Sequence, residues 1–180
     1  DIKMMADMGV KSYRFSISWT RILPYGAKPD EVNALGIEHY NQIINALLDN
    51  DIVPFVTLFH WDTPNDLETK YGGWLNQTIV DYFDAYADVC FKAFGDRVKH
   101  WLTINEPMTV ALNGYLSGEH APGRCSTCSE GGDSAVEPYI VAHNMILAHA
   151  QAVSTYRKYY QANQLGVVGM AINTDYAYPY

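Results

Sequence analysis

Apolar and polar positions along the chain switch repeatedly between two periods. The opening DIKMMADMGV puts Ile2, Met5 and Met8 at helical spacing and stops at Gly9. Lys11 to Trp19, KSYRFSISW, alternates and is rich in aromatic residues, which predicts a strand. A loop marked by Pro24, Gly26 and Pro29 follows, and then GIEHYNQIINALLDN carries Tyr40, Ile43, Ile44, Leu47 and Leu48 on one helical face, ended by Asp49 to Asp51. IVPFVTLFHW is almost continuously apolar, the signature of a strand covered on both sides.

The alternation then recurs. YGGWLN reads as a turn-rich loop, and Ile79, Phe83, Tyr86, Cys90 and Phe94 mark a helix stopped by Gly95. RVKHWLTIN is the third strand. A short segment and a Gly-rich loop from Gly114 to Asp133 lead to a helix over about 136–160, with Ser134 and Glu137 at capping-box spacing and Pro138 in its first turn. LGVVGMAIN is the fourth strand. Strands separated by helices imply a parallel sheet with right-handed crossovers, met in doubly wound sheets and in (β/α)8 barrels. No strand is followed by a Gly-rich phosphate turn, which favours the barrel. Four strands are half of such a barrel, so residues 1–180 read as part of a single α/β domain.

Composition narrows the partners. The 180 residues are 48% hydrophobic with a net charge of −8 and no basic cluster, so nucleic acid is not expected. No apolar run approaches the roughly 20 residues of a membrane span, and the N-terminal segment has no signal-peptide pattern. No metal or cofactor is called for. Cys125 and Cys128 lie together in GRCSTCSEGGDS, where a zinc site would need a second ligand pair and a redox motif would open a helix; a loop disulfide is the favoured reading. Cys90, in an apolar helix, reads as a buried thiol. Asn76 opens the sequon NQT, which matters only on a secretory route. Together with the paired cysteines it favours secretion or a vacuole-like compartment.

Chemistry in barrels gathers where strands end. The second strand ends on His60 and Trp61, the third on Asn105 and Glu106, and the fourth near Asn173; Arg14 sits between Tyr13 and Phe15 on the first. Each has an ordinary alternative: a capping histidine, a packed indole, a turn asparagine, an arginine paired with a structural carboxylate, a solvated glutamate. The repetition at one end of every strand favours a site. A carboxyl among apolar neighbours holds its proton more firmly and can act as a general acid. Pro107 predicts extended geometry for the residue before it, which would aim the Glu106 side chain. Asn105, His60 and Trp61 supply hydrogen-bonding groups and an indole face suited to an uncharged, polyhydroxylated substrate.

The blocks YRFSISWTRILP, FHWDTP, YGGWLN, FGDRVKHWLTINEP, APGRC and VEPY resemble, in order and along essentially the whole chain, the retaining β-glucosidases of glycoside hydrolase family one, the plant-like branch in particular. The resemblance implies the second to fifth strands of a (β/α)8 barrel and hydrolysis of β-O-glucosides by double displacement. It implies Glu106 as acid/base, Asn105 as the ligand of the sugar 2-hydroxyl, His60 and Trp61 as holders of the glycone, Arg14 as neighbour of the nucleophile and Asn173 on the aglycone side. Thioglucosidases of the family carry Gln where Glu106 stands, which points away from that branch. The family's nucleophile block has no counterpart in these residues, so this stretch alone is expected to be inactive. The expected partner is a small β-glucoside or an oligosaccharide. A non-catalytic sugar-binding relative, or a β-glycosidase of another glycone preference, is the alternative.

Overall fold

The structure, a computed structural model, describes residues 1–26, 31–174 and 178; Pro29 lies outside them. Four strands, β1 (Ser12–Ser16), β2 (Val53–Phe59), β3 (His100–Asn105) and β4 (Val167–Ala171), form one sheet in sequence order. All three pairings are parallel. The helices are α1 (Ile2–Asp7), α2 (Trp19–Ile22), α3 (Ala34–Leu48), α4 (Asn65–Tyr71), α5 (Ile79–Phe94), α6 (Pro107–Tyr115), α7 (Glu137–Tyr159) and α8 (Gln161–Gln164). The helical face expected on α5 is the buried one, from Ile79 through Phe83, Tyr86 and Cys90 to Phe94. The apolar run of β2 is buried at Val56, Thr57, Leu58 and Phe59, as a strand covered on both faces requires.

Two elements differ from the sequence expectation. The first strand stops at Ser16, and Trp19 opens a helical turn instead of closing the strand. Its indole is fully buried, stacks on Tyr86 at 5.0 Å and donates from Nε1 to the Gly26 carbonyl at 3.2 Å. An aromatic that continues the alternating pattern is thus recruited to the core beneath the sheet end, because burying so large a surface outweighs one more strand residue. The capping box at the start of α7 does not form either. Ser134 donates to the Leu116 carbonyl, and Asp133 satisfies the helix start through its carbonyl, 2.8 Å from the Glu137 N–H, and its carboxylate, 2.9 Å from the Ala135 N–H. That frees the Glu137 side chain for Arg124.

The core lies between the sheet and α5 and α7. Trp19, Phe59, Trp74, Phe83 and Tyr86 form one aromatic cluster and Phe91, Trp101 and Tyr156 another. From the first, the buried Tyr86 hydroxyl reaches two carbonyls, Leu58 at 2.8 Å and Ile17 at 3.1 Å. Ile17 lies one residue past the end of β1 and Leu58 one residue before the end of β2, so α5 ties these two strand ends together. Between β3 and β4 the ladder is irregular: Leu102 pairs with Gly169 but Asn105 with Ala171, so three residues of β3 advance against two of β4.

Candidate active site

The ends of β2 and β3 turn sharply and in the same way. Trp61 and Glu106 both have positive backbone φ, 73° and 47°. For Glu106 this replaces the extended geometry that the following proline predicts. The reason is that Glu106 is the N-cap of α6: Pro107 occupies the first helical position, where a fixed φ is favourable and a missing N–H costs nothing. The strand must therefore become a helix within one residue. The Glu106 N–H donates to the Ala171 carbonyl at 2.8 Å, and its own carbonyl accepts from Val110 at 3.2 Å. Clamped at both ends, the residue is held in a conformation that costs an L-residue of this kind on the order of 1–3 kcal/mol.

The side chains around it form a connected set. Thr109 donates from Oγ1 to Glu106 Oε2 at 3.0 Å, and Asn173 Nδ2 donates to Thr109 Oγ1 at 2.9 Å. Asn105 is buried, at 2% exposure; its Oδ1 accepts from the Arg14 guanidinium and its carbonyl from Trp61 Nε1 at 3.0 Å. Arg14 also donates from Nε to Thr57 Oγ1 at 2.9 Å. The Trp61 ring lies 5.4 Å from His60 and 5.2 Å from His120. The structure therefore joins Arg14, Asn105 and Trp61, and separately Glu106, Thr109 and Asn173, on the adjoining tips of β2, β3 and β4. A cavity of about 640 Å³ opens at Trp61 and runs past His120, Trp74, Tyr115 and Arg124; Glu106 is not among its lining residues.

Electrostatics separates the nearby carboxylates. Burial pushes Asp62 above its ordinary value, against the hydrogen bonds it accepts. Burial likewise raises Glu68, with the Arg124 charge opposing it. Glu137 is lowered, chiefly by its hydrogen bonds from Arg124, at 2.6 Å and 2.9 Å. This paired contact fastens the loop before α7, in which Cys125 and Cys128 are joined as a disulfide and Ser126 and Ser134 exchange hydrogen bonds of 2.9 Å and 3.0 Å. Cys90 is a buried free thiol. Asn76 is exposed, its Oδ1 accepting from the N–H and hydroxyl of Thr78.

Sequence reasoning missed Thr109, Asp62 and His120. Thr109 lies three residues after Glu106, one turn along α6, and was legible as its neighbour once Pro107 is read as the first helical residue. His120 carried no local signal.

The profile of Glycosyl hydrolase family 1 matches residues 1–180. The chain belongs to this family. Beta-glucosidase 14 of Arabidopsis thaliana is 53% identical over the whole of this chain, which spans 38% of that protein. The crystal structure of the rice Os3BGlu6 β-glucosidase superposes with a TM-score of 0.92 at 57% identity, over 95% of this chain and 36% of that one. A mutant of the same rice enzyme, in a covalent complex with glucose, matches with a TM-score of 0.92 at 56% identity. The chain thus spans somewhat over a third of the length of the relatives it matches, and its four parallel strands are part of the (β/α)8 barrel of this glycosyl hydrolase family.

Proposed function

We propose that the complete protein is a retaining β-glucosidase in which Glu106 is the acid/base. The observation that carries this reading is the Glu106 carboxylate itself, fixed at a strand tip by its clamped backbone and by Thr109, beside a buried asparagine that Arg14 orients. In the first step Glu106 gives its proton to the glycosidic oxygen as a nucleophilic carboxylate attacks the anomeric carbon from the opposite face. In the second it takes a proton from water, which displaces the enzyme carboxylate. The nucleophile belongs to the part of the family fold that this chain does not span. Asn105 engages Arg14 through Oδ1, so its Nδ2 is the group offered to a sugar hydroxyl. His60 and Trp61 flank the glycone, and the covalent glucose complex of the rice relative supports a double displacement.

Glu106→Gln in the full-length protein tests this. General acid catalysis contributes roughly 10²–10⁴-fold, so cleavage of alkyl β-glucosides should fall by about that factor. Aryl glucosides with good leaving groups should still form the glycosyl-enzyme, and azide, which needs no base, should restore turnover and yield a β-glucosyl azide. Wild-type rates on an alkyl β-glucoside would exclude Glu106 as acid/base, whereas glucoside binding without turnover by the unmutated full-length protein would favour the non-catalytic sugar-binding reading.

We also propose export through the secretory route, supported by the exposed sequon at Asn76 and the bonded pair Cys125 and Cys128. Protein purified from its natural source should carry a glycan at Asn76, and after denaturation without reductant Cys125 and Cys128 should resist alkylation while Cys90 reacts. An unmodified Asn76 with both loop thiols alkylated overturns the proposal.

A further inference from the structure

We infer that Thr109 is a positioning residue for the acid/base, and that a one-way hydrogen-bond chain from Asn173 through Thr109 holds Glu106 so that the transferable proton sits on Oε1. The inference rests on the reading of Glu106 as acid/base.

Direction comes from donor chemistry. The amide Nδ2 of Asn173 can only donate, so Thr109 Oγ1 accepts at 2.9 Å. The single hydroxyl hydrogen of Thr109 is then directed to Glu106 Oε2, at 3.0 Å. A threonine inside a helix ordinarily turns its hydroxyl back to a carbonyl three or four residues earlier. Here the hydroxyl donates to the Glu106 carboxyl group instead. With Oε2 engaged as an acceptor, protonation at Oε1 keeps every hydrogen bond of the chain, whereas protonation at Oε2 sets two hydrogens against each other. Oε1 therefore delivers the proton in the first step and receives one in the second.

The arrangement also uses one strand end twice. Ala171, the last residue of β4, accepts the Glu106 backbone N–H, and Asn173, two residues on, holds the carboxyl through Thr109. The backbone clamp sets where the Glu106 side chain leaves the chain; the hydroxyl sets the plane of its carboxyl group.

The test is the leaving-group dependence of kcat/KM in the full-length protein, over β-glucosides from 2,4-dinitrophenyl to alkyl. Thr109→Val keeps the shape and removes the hydroxyl. Its loss should grow as the leaving group worsens, from below about 2-fold for dinitrophenyl to about 10–100-fold for alkyl, as expected for a misplaced acid. Thr109→Ser should recover most of the loss. Asn173→Asp leaves Thr109 in place but substitutes an acceptor for the donor, drawing the hydroxyl hydrogen away from Oε2, and should show the same dependence. It also serves where Thr109→Val fails to fold. Losses equal across all leaving groups, or none, in the variant that folds would overturn the inference, because a merely structural threonine has no reason to discriminate among them. Glu106→Gln, run alongside, separates the two readings: if it cleaves alkyl glucosides normally the acid/base assignment fails, and if it does not while Thr109→Val matches wild type, only the positioning role fails.

Discussion

The tips of β2 and β3 are built alike and used differently. Phe59 pairs with Ile104 across the sheet, so Trp61 and Glu106 stand level, two residues further along. Both are left-handed, and each strand runs on into a helix, α4 or α6. Each tip also carries a carboxyl group. Asp62, with a short side chain, folds back on the backbone and accepts from the N–H groups of Trp19 and His60, each at 3.3 Å. Glu106, one methylene longer, stays clear of its own backbone N–H and takes a hydroxyl from Thr109. One carboxylate is consumed in joining β2 to the segment after β1. The other accepts from a single side-chain hydroxyl and is the one we propose as acid/base. Side-chain length and the identity of the residue one helical turn on decide which is which.

The largest effect that could break this contrast is a crossed pair of substitutions in the full-length protein. Asp62→Asn should lower unfolding stability by about 1–3 kcal/mol, the cost of an unsatisfied donor, because the amide can accept from only one of the two N–H groups of Trp19 and His60. Glu106→Gln should leave stability nearly unchanged while activity collapses, because Gln keeps the same backbone geometry and an oxygen that can accept from Thr109. Denaturant unfolding of both measures the difference. An equal stability loss in the two would erase the distinction between a structural and a chemical carboxylate.

A smaller effect sharpens it through pH. Burial raises the Asp62 pKa above its ordinary 3.8. As pH climbs from there, the unfolded chain releases its proton before the folded one, so the folded state binds more protons and wild-type stability falls across the window up to the folded pKa. Asp62→Asn lacks this titration. The stability gap between wild type and Asp62→Asn should therefore narrow as pH rises from about 3.8, then level off. A gap that widens over the same interval would mean that the hydrogen bonds from Trp19 and His60 outweigh burial.

Much of this was legible in the chain itself. The continuous apolar run of β2 and the four-fold repeat of Phe83, Tyr86, Cys90 and Phe94 on α5 depend on near neighbours, and such patterns survive folding because they are one face of one element. Arg14 was visible as a charge within an apolar strand, and His60, Trp61, Asn105, Glu106 and Asn173 as hydrogen-bonding side chains at the ends of such strands. What stayed hidden depends on distant partners. The contact of Asn173 with Thr109 spans 64 residues, and Trp19 left its strand pattern because Tyr86, on another helix, offers it a stacking face. The Ser134 capping signal failed for the same reason: Leu116, 18 residues away, takes the hydroxyl. At Glu106 two local rules conflict, since a residue before proline favours extension while this N-cap must turn, and only the Ala171 carbonyl on β4 decides between them.

The uneven rung between β3 and β4 bears on transplantation. Because three residues of β3 advance against two of β4, the segment from Asn105 to Pro107 sits one step out of phase with an even ladder. Grafted onto the regular strand of another barrel, the same three residues would be displaced by about 3.3 Å along the sheet, and their side chains would exchange faces. Glu106 would then lose both the Ala171 carbonyl and the neighbourhood of Asn173. The portable unit for anyone designing a glycosidase is accordingly two strands with their mismatch intact, and the short motif that advertises the family is only its label.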